Sequence, residues 1–274
     1  MTEQTFSDPI AQGYYRQGES EISTTQSADE VLQKADALAR QDSHPTLLHA
    51  ACYYLAAAHF LETHDPAKSA HAYHQAGHQL QQLDQFLHAA RAFSQAGAWA
   101  EQAARNGAAA STQQHLQHGA IRSYSRANHC FGEAGELDES ESAYLKQRDA
   151  RVAWAKMQGK HPLALLAWKT TSNYGTSIPR WTAWILGTIM LFSLLYEVFF
   201  RVQWLKPMSN TNPSAWIPLW SGLYYAINVT SSLALVENQP THPIAQAIVM
   251  LNVIAGYLFL GIGIGIVGRI IKTR

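Results

Sequence analysis

Between positions 231 and 237 the chain reads Ser231, Ser232, Leu233, Ala234, Leu235, Val236, Glu237: two hydroxyls and one carboxylate separated by small and aliphatic residues. Hydroxyl, carboxylate and backbone carbonyl oxygens can stand in for water around a cation, and carboxylate rings favour cations over anions. A second candidate for chemistry is His71, His74 and His78, at i, i+3 and i+7, which places them on one helical stripe. Metal ligands on helices use such spacings. No Cys or carboxylate accompanies these three in sequence, so a polar helix face is favoured over a pH-responsive cluster, and that over a metal site. Cys52 and Cys130 are not at metal-ligand spacing and read as buried thiols of a cytosolic region. No glycine loop follows a strand, and no nucleophile, base and orienting group stand together. The sequence therefore argues against an enzyme and implies no cofactor and no metal. No basic patch is dense enough for nucleic acid.

The elements that must position 231–237 are unusual. Of the 20 acidic residues, 18 precede residue 178, leaving only Glu197 and Glu237 after it; Arg180, Arg201, Lys206, Arg269, Lys272 and Arg274 are the basic residues of the second part. The front is thus soluble and the back apolar. Residues 181–200 carry one charge, and twenty helical residues rise about 30 Å, the thickness of a bilayer's hydrocarbon core. Trp181, Trp184, Tyr196 and Trp204 suit headgroup level at the ends of this span. Glu197 precedes Arg201 by four residues and can pair with it on a helix. A second apolar stretch begins at Pro243 and ends in the basic cluster. We take the spans as about 181–202 and 243–271. Basic residues flank the outer ends of this pair, so the positive-inside bias puts both termini in the cytosol of a cell or inner membrane. The first residues are polar and lack the apolar core of a signal peptide.

Residues 213–230, PSAWIPLWSGLYYAINVT, are too apolar for an exposed loop and too broken for a third span. Such a segment should enter the bilayer as a short helix and turn back. Non-helical backbone at that depth is tolerated only where protein buries it or where it lines a water-filled cavity. The expected fold is all-α: a helical-hairpin repeat domain followed by a two-span pore domain with a re-entrant pore helix.

In this frame residues 181–272 resemble the two-span, pore-loop channels of the potassium-channel superfamily, whose filter reads Thr-Val-Gly-Tyr-Gly-Asp with Pro following. Ser232 takes the Thr position, Glu237 the Asp position and Pro240 the Pro position. Tyr224 and Tyr225 match the aromatic pair of the pore helix, and Asn228 matches a filter-supporting carboxylate. Gly256 and Gly261 match inner-helix glycines, including the gating hinge. The resemblance implies a homotetramer, a filter over Ser231–Glu237 and a permeant cation, potassium among the candidates.

Two filter positions depart from that pattern, with Ala234 and Val236 in place of glycine. The left-handed conformation costs a non-glycine residue about 1–2 kcal/mol, so a selectivity different from the standard one is expected, with side-chain oxygens of Ser231, Ser232 and Glu237 contributing. The inner span also carries Gly263, Gly265 and Gly268. Close packing through small residues and bending of a gating helix both account for such a run.

Residues 27–173 show amphipathic helical periodicity, with turn signals at Asp65-Pro66, Asn106-Gly107, Gly132 to Gly135 and His161-Pro162. Residues 1–26 are polar and read as a flexible lead. Helical cores centred on Tyr73, Phe93, Tyr124 and Tyr144 recur at steps of 20, 31 and 20 residues. The small-and-large frame Gly77, Leu80, Ala89, Phe93, Ala96 resembles tetratricopeptide repeats, or the soluble attachment protein fold. That resemblance implies a surface for a peptide or protein partner. Together these expectations describe a channel subunit in a lipid bilayer, gated or positioned by a cytosolic sensor. A membrane-anchored helical-repeat adapter that does not conduct is the alternative.

Overall fold

The computed structural model describes residues 8–25, 27–106, 109–207, 216–232 and 238–272. These form eleven helices, two of them long and apolar enough to cross a membrane, and one pair of three-residue strands. The chain divides into two compact units, Met1–Leu163 and Ala164–Arg274.

The first unit holds α1 (Pro9–Thr25), α2 (Ala28–Ala39), α3 (His44–Leu61), α4 (Pro66–Gln82), α5 (Phe86–Arg105), α6 (Ala110–Glu133) and α7 (Leu137–Met157). Its boundaries follow local chemistry. Asp65 caps α4 by accepting from the Ala67 and Lys68 amides, with Pro66 in the first turn where its missing N–H does no harm. Ser43 and Thr46 make a reciprocal capping box at α3. Gly135, at φ 78°, supplies the left-handed residue between α6 and α7.

From α3 onward each helix packs on the next, and the repeated aromatics explain how. A Cβ at Gly77 of α4 would lie 2.8 Å from the Phe93 ring of α5, and one at Gly97 of α5 would lie 2.6 Å from the Tyr124 ring of α6. Each glycine stands four residues, about one turn, after its own helix's aromatic. The ring of one helix fills the notch of the helix before it. The next position in this series is Asn128, and there the contact changes: Ser140 of α7 hydrogen-bonds the Asn128 carbonyl and side chain.

Of the expected flexible lead over residues 1–26, residues 1–7 and 26 lie outside the described residues, and the rest does not match the expectation. Residues 9–25 form α1, whose buried Ala11, Gly18 and Ile22 and half-buried Tyr15 lie on one face against α3. Cys52 donates its thiol to the Ala11 carbonyl, and Tyr53 donates to Glu21. Only two of those four face residues are large and apolar, which is why the segment reads as polar. Both cysteines are buried free thiols, and burial pushes that of Cys52 up to about 12.

The second unit contains α8 (Leu163–Ser172), α9 (Ile178–Arg201), β1 (Leu205–Pro207), α10 (Trp220–Ser231), β2 (Asn238–Pro240) and α11 (Pro243–Lys272). The expected helical repeat region ends at residue 173, whereas the two compact units divide between Leu163 and Ala164, at the start of α8. Its chain is tied to α9 and α11: the Trp184 indole donates to the Thr170 carbonyl, and Gly175, at φ 83°, lies between Trp168 and Ile266. β1 and β2 pair antiparallel, with Leu205 opposite Pro240 and Pro207 opposite Asn238.

Candidate functional site

The site is the short helix α10 and the chain that enters and leaves it. Of the expected pore helix at 213–230, residues 213–215 lie outside the described residues, and helix begins at Trp220 rather than near Pro213. Pro218 cannot donate to a helical ladder, and Leu219 takes a left-handed φ of 68°. Residues 216–219 are a turn, in which the Ile217 amide donates to Ser221 Oγ.

That turn is anchored on α9 by Glu197. One carboxylate oxygen accepts from the Trp216 indole at 2.7 Å and the Leu219 amide at 3.4 Å, and the other accepts from Arg201 at 3.2 Å. The side chain is almost fully buried, and all its bonds are charge-assisted, so each is stronger than a neutral one. Trp216 also stacks on Phe200 at 4.1 Å. The expected Glu197 and Arg201 pair is formed, and it does more than bridge one helix: it fixes where α10 starts.

Along its length α10 is seated between α9 and α11. A Cβ at Gly222 would lie 2.7 Å from the Ser193 carbonyl of α9. Tyr225 sets its ring edge-on to Tyr196 at 4.7 Å and donates its hydroxyl to the Asn238 carbonyl of β2. At the far end the Thr230 carbonyl occupies the space a Cβ would need at Gly256 of α11. Asn252, fully buried, joins all three helices. Its Nδ2 donates to the Tyr196 hydroxyl at 3.0 Å and lies 3.5 Å from the Ala226 carbonyl, while Thr230 Oγ1 stands 2.8 Å from its Oδ1. Polar side chains inside an apolar helix cluster of this kind act as glue between helices.

The expected site residues divide accordingly. Tyr225 is buried and holds the returning strand, whereas Tyr224 is half exposed and makes no such contact. Asn228 is buried, and its Nδ2 has no hydrogen-bond partner among the described residues. Ser231 ends α10 and directs its hydroxyl back to the Ile227 carbonyl at 2.7 Å; Ser232 closes the helix with a left-handed φ of 55°. Leu233, Ala234, Leu235, Val236 and Glu237 lie outside the described residues. On their far side the chain is recaptured by β2, by the Thr241 amide donating to the Trp204 carbonyl, and by His242 stacked on Trp204 at 4.0 Å. Gly256 is a packing notch, and Gly261 has nothing within 4 Å of a Cβ.

Sequence reasoning missed Asn252, Thr230, Gly222, Trp216 and the clasp of Trp181 with Gly263. In that clasp a Cβ at Gly263 would lie 2.6 Å from the Trp181 ring, whose indole donates to the Phe259 carbonyl. The signal for Asn252 was present: a strongly polar side chain in the middle of a membrane-length apolar run asks for a partner. The arrangement brings a short helix and its terminal Ser231 between two span-length helices. Comparison with known proteins adds no relative. No family model, curated protein or solved structure matches this chain.

Proposed function

We propose that this chain is one subunit of a homotetrameric cation channel of the potassium-channel-like pore-loop class, with both termini cytosolic and α10 as a re-entrant pore helix. The observation that supports it most is the seating of α10: a twelve-residue helix clasped by α9 and α11 through Gly222, Asn252 and Gly256, with its end at the Ser231–Glu237 segment. The C-terminal end of a helix carries partial negative charge. Together with the Ser231 and Ser232 hydroxyls and the Glu237 carboxylate, that end favours cations over anions. Trp220, Tyr224 and Ile227 leave α10 with exposed apolar side chains, which neighbouring subunits would cover.

In this reading Gly256 serves close packing, so bending of the inner helix falls to Gly261 and the glycines after it. Ala234 and Val236 give the filter a non-standard selectivity. The α3–α7 series, a stacked array of helical hairpins, biases the gate through a protein or peptide partner.

The test is current from purified, demonstrably tetrameric protein in planar bilayers. Cation current that loses its preference over anions in Glu237→Gln supports the reading. Silence of the tetramer under voltage, pH and candidate ligands overturns it. That outcome favours a non-conducting membrane-anchored adapter, for which the loss of both filter glycines is the specific observation.

A further inference from the structure

The first unit carries a cluster of arginines and histidines that the channel reading does not use. On α6, Arg122, Ser123 and Arg126 lie within four residues of one another, and on α4 His71, His74 and His78 form one stripe. The two stripes meet. His74 Nδ1 stands 2.9 Å from Ser123 Oγ, and its ring is edge-on to Phe93 of α5 at 5.2 Å. Arg126 lays its guanidinium over the same Phe93, its central carbon 5.5 Å from the ring centroid. Phe93 is therefore a shared floor, held in place by the notch at Gly77.

The charges of this cluster are not balanced. Arg126 Nη1 is buried with no hydrogen-bond partner, and neither Arg122 nor Arg126 has an ion-pair partner among the described residues. Glu133, further along α6, stands with His129. An unpaired buried donor on a charged group is unfavourable by more than a neutral one, so the site lacks an acceptor. His74 reports the same field: burial first, then Arg126 and Arg122, and then His71 and His78, hold its imidazole down to about 4. The charged and titratable neighbours that act on it most are two arginines and two histidines.

We infer that the face where α4 and α6 meet over Phe93 is a binding site for an oxyanion, with Arg126 and Arg122 as charge partners and Ser123 and His74 as further hydrogen-bonding groups. A phosphate or carboxylate fits, because either offers several acceptor lone pairs to an arginine fork. Such a group could arrive on a small soluble anion or on an acidic peptide; the donors are the same. The site stands independently of whether the membrane unit conducts.

Binding to the detergent-solubilised full chain tests this, with inorganic phosphate in one arm and a short glutamate-rich peptide in the other, against chloride at equal ionic strength. Saturable binding of either probe is expected, weakened about tenfold or more in Arg126→Gln, the size of one lost charged hydrogen bond. The tighter-binding probe identifies the source of the anion. Arg122→Gln, at an exposed position, weakens binding without altering the circular dichroism spectrum or melting of the free protein, which guards against a folding defect. No saturable binding of either probe, or equal binding by both variants and the parent, overturns the site.

Discussion

The two units close their helices on one another in different ways. In the first, the close approaches are glycine against aromatic ring, Gly77 with Phe93 and Gly97 with Tyr124, so what fills the gap is large apolar surface leaving water. In the second, two of the closest are glycine against backbone carbonyl, Gly222 with Ser193 and Gly256 with Thr230, and the side chains that join the helices are polar. On the membrane placement proposed above, the solvent explains the contrast: between apolar helices in lipid there is no water to expel, so close packing and hydrogen bonds must supply the attraction. A ring can tilt away from an intruding methyl group. A backbone carbonyl moves only with the chain that carries it.

The sharpest way to break this comparison is Gly256→Val. A Cβ there collides with the Thr230 carbonyl, and forcing the helices apart should destabilise the membrane unit by about 3 kcal/mol or more. Loss of the monodisperse peak on size-exclusion chromatography is the expected readout, with Gly261→Ala, which meets nothing, eluting like the parent. Gly97→Ala in the first unit should destabilise by about 1–3 kcal/mol, because the obstacle is a side-chain ring rather than backbone. Chemical denaturation followed by helical signal measures it, and a loss as large as that of Gly256→Val would erase the distinction.

Asn252→Ala should destabilise less, by about 1–2 kcal/mol. It leaves Tyr196 and Thr230 without their shared partner but creates no collision. The prediction fails if the variant melts with the parent.

Acid gives the most gradual change, and it belongs to the first unit. Burial holds His49, His74 and His78 below the ordinary imidazole value of 6.5, His74 to about 4. The unfolded chain therefore takes up these protons first as pH falls. The stability present above about 6.5 is lost progressively toward pH 4. Melting temperature of the full chain should decline across that window, and His74→Phe should flatten the decline.

Legibility in the sequence follows the same divide. The steps between Tyr73, Phe93 and Tyr124 are readable because the packing unit is a large residue with a small one a turn later, and both are visible as letters. The spans are readable because a bilayer imposes a length. α1 is not, since its buried face spends two of four positions on Ala11 and Gly18. Nor does sequence alone separate Gly256 from Gly261: both are glycines on one helix, and only the position of the Thr230 carbonyl makes one of them a notch. Asn252 was visible as an oddity, but its partners are 22 and 56 residues away. The start of α10 was misplaced because Pro218 and the left-handed Leu219 override an apolar run that looks helical from Pro213.

The Asn252 junction also has an order in time. Tyr196 and Thr230 emerge from the ribosome before Asn252 does, so both hydroxyls wait without the partner that later joins them. Trp181 waits longer still, for Phe259 and Gly263. The second unit is thus locked by α11, and a chain stalled after α10 is one that the cell's quality-control machinery would meet with its polar contacts still open.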